Sequence, residues 1–186
     1  MNNKKISLLA FIALAIIQIS IPAWMIMHRE DIKSGGKTYH FLCQPIDPND
    51  PFRGKYIILR FDAETVNNVD ERDQWTKGDV AYASLNTNAE DHAYISKLSR
   101  TAPSNTDFIE VTVNSAVYNG TVQVTLPFTR YYMEESKAPK AEALYRSSIF
   151  DKEIIALVKV KAGNAVLTKV LVDGQPIEKA VEQLAN

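Results

Sequence analysis

The sequence predicts a mainly β fold with minor α: a single β-barrel or sandwich-like domain of about eight strands and one or two short helices, behind an N-terminal transmembrane helix. Residues 6–27 form an uncharged run with 18 apolar side chains. Beyond this run, short segments alternate polar and apolar residues and are bounded by turn residues. The 158 residues after position 28 suffice for one domain with its own core.

The N-terminal run is predicted to anchor the chain in a lipid bilayer. Its length corresponds to roughly 33 Å of helix, enough for a hydrocarbon core of about 30 Å. Ile21-Pro22-Ala23 is a poor signal-peptide cleavage site, and large apolar residues follow it, so retention is favoured over cleavage. Lys4 and Lys5 before the run are typical of an export signal-anchor.

From these features we expect a single-pass protein of the inner (cytoplasmic) membrane, with its C-terminal domain in the periplasm or outside the cell. Basic residues also follow the run, so a cytosolic domain stays open as the alternative. The predicted organisation is a tail over residues 1–5, the anchor over 6–27, a linker over 28–37 and the β-rich domain over 38–186. Within the linker, Ser34-Gly35-Gly36 predicts a flexible hinge.

Composition excludes several classes of protein. The chain has 21 basic and 22 acidic residues, without the basic excess of a nucleic-acid binder, so no nucleic-acid partner is predicted. A single cysteine, Cys43, excludes an intramolecular disulfide and a cysteine-cluster metal site. His40 and Cys43 fall on opposite faces of a strand, which argues against a nucleophilic pair. His92 beside Asp91 is interpreted as solvated surface. No cofactor is predicted.

Strands are predicted wherever the period-two pattern holds. Asn119-Gly120 predicts a type I′ hairpin turn, because both central positions require positive φ. Ala162-Gly163-Asn164 predicts a second hairpin turn. A short helix is expected within residues 134–148 and a closing helix over 176–184. The predicted strands are 38–44, 55–62, 79–85, 93–98, 107–116, 121–128, 154–161 and 166–172.

The strand over residues 55–62 has the strongest pattern. Ile57, Leu59 and Phe61 share one face, with Tyr56 and Ile58 on the other. Because both faces carry apolar groups, a central strand is predicted, with Leu59 and Phe61 in the core.

Two regions carry groups suited to chemistry. In the proline-rich stretch 44–53, Asp47 and Asp50 offer oxygen ligands for Ca²⁺, although Asx turns also explain them. Arg53 is expected to pair with one of these carboxylates. In the second region, Glu134 and Glu135 follow Tyr131 and Tyr132, where burial would suit a carboxylate for acid–base work. Negative charge at a helix N-terminus explains the same glutamates without catalysis.

The segment DPFRGKYIILRF (residues 50–61) resembles the signature of the GDYXXLXY protein family. Gly54, Tyr56 and Leu59 match the named positions, whereas Lys55 replaces the family's Asp and Phe61 its final Tyr. Two more stretches are similar to the family: Arg130–Glu135 with Ala141-Glu142, and Val172-Asp173-Gly174.

The resemblance implies a membrane-anchored bacterial protein of uncharacterised function, often associated with multi-pass membrane proteins. It carries over no catalytic residue. Three hypotheses therefore remain: an interaction or accessory module for a membrane protein, an envelope hydrolase using Glu134/Glu135 with Asp47/Asp50, and a small-ligand or Ca²⁺ sensor. The absence of known catalytic motifs in the sequence favours the first.

Overall fold

The computed structural model of the protein describes residues 3–44, 56–134, 141 and 153–183. In these residues a long apolar helix, α1, precedes twelve strands and a short closing helix, α2. The helices are α1 (Asn3–Gly35) and α2 (Ile177–Gln183). The strands are β1 (Lys37–Gln44), β2 (Tyr56–Ile58), β3 (Arg60–Phe61), β4 (Thr65–Val66), β5 (Val80–Thr87), β6 (Ala93–Ser99), β7 (Phe108–Val113), β8 (Val122–Thr125), β9 (Arg130–Tyr132), β10 (Ile154–Lys161), β11 (Asn164–Val172) and β12 (Gln175–Pro176).

Helix α1 projects its apolar side chains away from the rest of the molecule. The segment Ile6–Gly35 is long and apolar enough to cross a membrane, and none of its most apolar stretch is buried within the chain. In a bilayer these exposed side chains contact lipid instead of water. Trp24 stacks on His28 with ring centroids 5.5 Å apart, at the end of the apolar run. An aromatic residue at this position is typical of the membrane–water interface.

Helix α1 does not stop at the end of the apolar run. Residues 28–35, which the sequence suggests as a linker, continue the helix up to Gly35. Ile32 is buried at the base of the β domain. At the adjacent residue, Asp31, the carboxylate Oδ1 lies 2.6 Å from the Lys161 ammonium. The end of the helix is therefore packed against the hairpin of β10 and β11.

Gly36 allows the end of α1 and strand β10 to pack closely at this joint. The Gly36 N–H donates to the Ile32 carbonyl at 2.8 Å, and Lys159 donates to the Gly36 carbonyl at 3.1 Å. A Cβ at Gly36 would lie 2.4 Å from the Ile32 carbonyl oxygen and 3.1 Å from that of Val160, so no side chain fits there. The flexible hinge predicted for residues 34–36 is wrong: Gly36 permits a tight contact between helix and strand.

Two five-stranded antiparallel sheets and a two-stranded ribbon make up the β structure. The first sheet has the order β12-β11-β10-β1-β3, the second β4-β8-β7-β5-β6, and the ribbon pairs β2 with β9. Within the described residues no sheet closes on itself, so the arrangement is sandwich-like rather than a barrel. One hydrophobic core draws side chains from both sheets. At its centre the rings of Phe41, Phe61 and Phe128 meet at 5.1–5.9 Å.

The predicted strand over residues 55–62 is divided in the structure. It breaks at Leu59, whose N–H donates to the Thr129 carbonyl at 2.8 Å. Before the break β2 joins the ribbon, and after it β3 lies at the edge of the first sheet. The prediction of a central strand is therefore wrong. Apolar groups on both faces reflect a crossing between two sheets, whereas the burial of Leu59 and Phe61 in the core is confirmed.

The predicted turns and the closing helix are confirmed. Asn119 and Gly120 have φ of 49° and 71°, as a type I′ turn requires. The turn between β10 and β11 also has two residues with positive φ, Ala162 and Gly163. In α2, Ile177 and Val181 are buried. Of residues 134–148, where a helix is predicted, the structure describes only Glu134 and Ala141, and Ala141 is helical and buried.

Candidate functional site

The ribbon of β2 and β9 joins two segments that are far apart in the sequence. Tyr56 pairs with Tyr132, Ile57 with Tyr131, and Ile58 with Arg130. Since paired residues of antiparallel strands lie on the same side, Tyr56, Ile58, Arg130 and Tyr132 share one face of the ribbon. We call these four residues the outer ribbon face. Ile57 and Tyr131 form the inner face.

The inner face holds the ribbon on the domain. Ile57 is buried in the hydrophobic core. The hydroxyl of half-buried Tyr131 donates a short hydrogen bond to Glu178 Oε1, in the first turn of α2. Burial and this hydrogen bond raise the pKa of Tyr131, so the phenol holds its proton more tightly than a free tyrosine does. The side chain therefore acts as a fixed donor that ties β9 to the closing helix.

The outer ribbon face is open to solvent. Ile58 is 37% exposed and Tyr132 65% exposed. The rings of Tyr56 and Tyr132 lie 5.4 Å apart, and the Arg130 guanidinium lies 5.2 Å from the centroid of the Tyr56 ring. Such aromatic and cation–π contacts hold large side chains in place on the surface. Tyrosine and arginine are also the residue types enriched at the energetic centres of protein interfaces.

The ribbon also borders a large cleft beside the C-terminal end of α1, which we call the juxtamembrane cleft. Its volume is about 1160 Å³. Residues Arg130 to Tyr132 line it from the ribbon, and residues 162–168 from the turn between β10 and β11 and the start of β11. The end of α1 and the exposed side of β5 and β7 complete it. These contribute His28, Arg29, Ile32, Lys33, Tyr82, Phe108 and Glu110.

The remaining motif residues lie behind the ribbon. Leu59 and Phe61 are fully buried, and Phe61 donates its N–H to Glu64 Oε2 at 3.2 Å. Glu64 is itself buried, and this desolvation raises the pKa of its carboxyl group even though backbone N–H donors favour the charged form. Half-buried Tyr56 thus lies on the outer ribbon face, whereas Leu59 and Phe61 stabilise the fold.

The other predicted site residues divide into two groups. Glu134 follows β9 and is exposed. The remaining predicted site residues lie outside the described residues: Asp47, Asp50, Arg53, Gly54 and Glu135. The hydrolase and the Ca²⁺ sensor, which depend on these carboxylates, therefore stay predictions.

A second cluster of titratable groups was missed by sequence reasoning. His40 Nδ1 lies 2.8 Å from Asp91 Oδ2, and His92 Nε2 lies 3.2 Å from Glu153 Oε1. The side chain of His92 is only 12% exposed, so its interpretation as solvated surface is wrong. The sequence carries no signal for this contact, because Glu153 is far from His92 along the chain and approaches it only in the folded protein. Among the described residues no group of three or more His, Cys, Asp or Glu side chains could hold a metal ion.

A smaller cavity of about 560 Å³ adjoins the start of β1. Here Tyr39 donates to Asp107 Oδ2 at 2.7 Å, and Lys37 lies 3.2 Å from the same oxygen. The hydrogen bond from Tyr39, with the Lys37 charge, lowers the pKa of Asp107. Asp107 is thus already engaged by two partners, which indicates a structural role.

Comparison with known proteins gives one match. The model of the family described as GDYXXLXY protein matches residues 18–170. This span includes the C-terminal part of the apolar run in α1 and nearly all of the β domain. Comparisons with curated proteins and with solved structures gave no match.

Proposed function

The chain belongs to the GDYXXLXY family, whose function is uncharacterised, and we propose that it is an accessory module that binds a membrane protein through the outer ribbon face. Its β domain lies outside the cytoplasm in this proposal. The module has no catalytic role of its own; it is held at the membrane by α1 and contributes a recognition surface.

One observation carries the proposal. The two family-like segments around Tyr56 and Arg130 pair with each other in the ribbon and turn four large side chains outward. The fold needs only the inner side of these segments, where Ile57 is buried and Tyr131 is bonded to α2. Exposed aromatic and aliphatic groups clustered next to an arginine favour a contact with another protein.

The position of the ribbon favours a partner in the membrane. Arg130 to Tyr132 line the same cleft as His28, Arg29, Ile32 and Lys33, which follow the apolar part of α1. A membrane protein beside the anchor can therefore contact the helix within the bilayer and the ribbon above it. Association with multi-pass membrane proteins, which the family resemblance implies, supports this kind of partner.

Site-specific photo-cross-linking in intact cells tests the contact. A photo-reactive residue placed at Ile58 of the full-length chain should cross-link to an integral membrane protein. Placed at Tyr118, which is 77% exposed beside the Asn119-Gly120 turn, it should give no such product. Tyr132→Ser on the same chain should lower the yield from position 58 at least about fivefold, as expected for an interface anchor.

Equal cross-linking from both positions, or capture of soluble proteins alone, would contradict the proposed contact. So would a yield that Tyr132→Ser leaves unchanged while the variant remains folded.

The side of the membrane has a separate test. Alkaline phosphatase fused after Asn186 is expected to be active, because it folds in the oxidising space outside the cytoplasm. The same fusion lacking residues 6–27 serves as the control and should be inactive. An inactive full-length fusion would place the domain in the cytoplasm.

A further inference from the structure

The juxtamembrane cleft lies at a defined depth relative to the bilayer. The apolar run ends at Met27, and α1 continues without interruption through Gly35. His28 to Lys33 therefore lie about 2–9 Å beyond the last apolar residue along the helix axis. Polar headgroups occupy about 5–8 Å on each side of the hydrocarbon core. The helix wall of the cleft is thus at headgroup level.

The cleft presents positive charge from two walls. Arg29 and Lys33 line it from α1, and Arg130 lines it from the ribbon. Lys33 lies 3.6 Å from Glu30 at the surface, whereas Arg29 and Arg130 have no carboxylate within ion-pair distance in the part of the chain that the structure describes. Glu110 is the acidic residue among the lining side chains.

Stabilisation of α1 does not explain all these charges. Lys33 lies in the last turn of α1, where a basic side chain interacts favourably with the helix dipole, but Arg29 lies further from the helix end. Arg130 is on a strand, and its guanidinium lies beside the Tyr56 ring and also lines the cleft. Two arginines from separate elements facing one cavity favour an anion that accepts hydrogen bonds, as phosphate does.

We propose that the juxtamembrane cleft binds the phosphate headgroup of an anionic phospholipid from the surrounding leaflet. Arg29 binds the phosphate from α1 and Arg130 from the ribbon, and Lys33 adds positive charge. Half-buried Tyr131 and exposed Tyr132 line the ribbon side, where tyrosine suits a headgroup environment that is partly apolar and partly wet. The cleft volume of about 1160 Å³ accommodates a complete headgroup.

Native mass spectrometry of the full-length chain in mild detergent tests the proposal without any protein partner. Phosphatidylglycerol and phosphatidylcholine with the same acyl chains are added in turn. The wild-type chain should retain phosphatidylglycerol in preference. R29Q/K33Q should weaken that binding by about fivefold for each charge removed.

Two matched variants distinguish lipid binding in the cleft from a general effect of the protein's positive charge. K77Q/K97Q removes the same charge from exposed positions outside the cleft and should bind phosphatidylglycerol like the wild type. R29K/K33R keeps the charge at the helix end and should retain most of the binding.

Equal retention of the two lipids by the wild type would overturn the proposal, as would equal losses in R29Q/K33Q and K77Q/K97Q. Displacement of the lipid by glycerol 3-phosphate at equal concentration would overturn its assignment to a membrane lipid, since the cleft would then recognise a soluble phosphate ester.

Discussion

The two faces of the ribbon differ although the same two strands form both. On the inner face, Ile57 is buried and Tyr131 is hydrogen-bonded to α2. On the outer face, Tyr56, Ile58 and Tyr132 are equally large, yet Ile58 and Tyr132 remain exposed. In the residues that follow, Leu59 and Phe61 continue the buried side. Alternation along one short segment thus separates a structural half from a half available for recognition.

The buried side also contains Phe61, the departure from the family pattern that lies within the described residues. Phe61 stands where the family has tyrosine, and it is fully buried among other phenylalanine rings. A hydroxyl is dispensable there because a buried one would need its own partner. Tyr56, by contrast, keeps its ring beside Arg130 on the outer face. Substitutions that act on one face and spare the other test this separation.

The largest effect is expected on the buried side, at Leu59. Leu59→Ala removes a fully buried side chain and should lower the free energy of unfolding by about 2–5 kcal/mol. Urea denaturation of the full-length chain in mild detergent, followed by circular dichroism, measures it. Leu59→Met conserves volume and should cost less than about 1.5 kcal/mol. A loss below 1 kcal/mol for Leu59→Ala, on the order of a surface change, would contradict the assignment of Leu59 to the core.

A smaller effect is expected where the inner face contacts α2. Tyr131→Phe removes the donor to Glu178 and should destabilise the domain by about 1–2 kcal/mol. Tyr132→Phe is the control, because that side chain is exposed on the opposite face, and its change should stay within about 0.5 kcal/mol. Equal effects of the two substitutions would show that the hydroxyl of Tyr131 contributes no more than a surface hydroxyl.

The free energy of unfolding is expected to depend on pH through the carboxyl group of Glu64, which lies behind the motif. Burial raises the pKa of Glu64 above its ordinary 4.5, so the folded state binds the proton more tightly than the unfolded state. Its contribution to stability is therefore fully present below the ordinary pKa and is lost as pH rises through the raised one. Glu64→Gln lacks this titration. The free energy of unfolding of Glu64→Gln, relative to that of the wild type, should therefore rise with pH across that window. Parallel curves of unfolding free energy against pH for the two proteins would refute this.

The smallest change in stability is expected on the outer face. Ile58→Ser and Tyr132→Ser should each alter the free energy of unfolding by no more than about 0.5–1 kcal/mol, because both side chains are exposed. The same denaturation experiment measures this, with Leu59→Ala as the reference for a buried position. A loss as large as that of Leu59→Ala would show that the outer face is part of the fold.

The parts of this fold that depend on local patterns follow from the sequence. The length of the apolar run identifies α1, and alternation predicts β10 over its full extent, Ile154–Lys161. Asn119-Gly120 marks a turn because few residues tolerate positive φ. The burial of Leu59 and Phe61 likewise follows from side-chain alternation alone.

The candidate site depends on contacts between distant segments, which local patterns do not encode. The sequence marks both Tyr56 and Arg130, yet only the folded chain pairs their strands in a ribbon. Apolar groups on both sides of residues 55–62 predicted a central strand, because alternation cannot distinguish a central strand from one that crosses between sheets. At the helix joint, Gly36 was interpreted as flexible since its neighbours Ile32 and Val160 come together only in the tertiary structure.

Because α1 is continuous up to that joint, the number of residues in it determines how the β domain is rotated about the helix axis. With Ile32 buried and Gly36 packed between Ile32 and Val160, the domain follows every rotation of α1 about its axis. One residue more or fewer between Met27 and Gly36 would turn the ribbon by about 100° around the helix and shift it by about 1.5 Å. The number of residues in this short polar segment thus sets the direction in which the ribbon faces along the membrane surface.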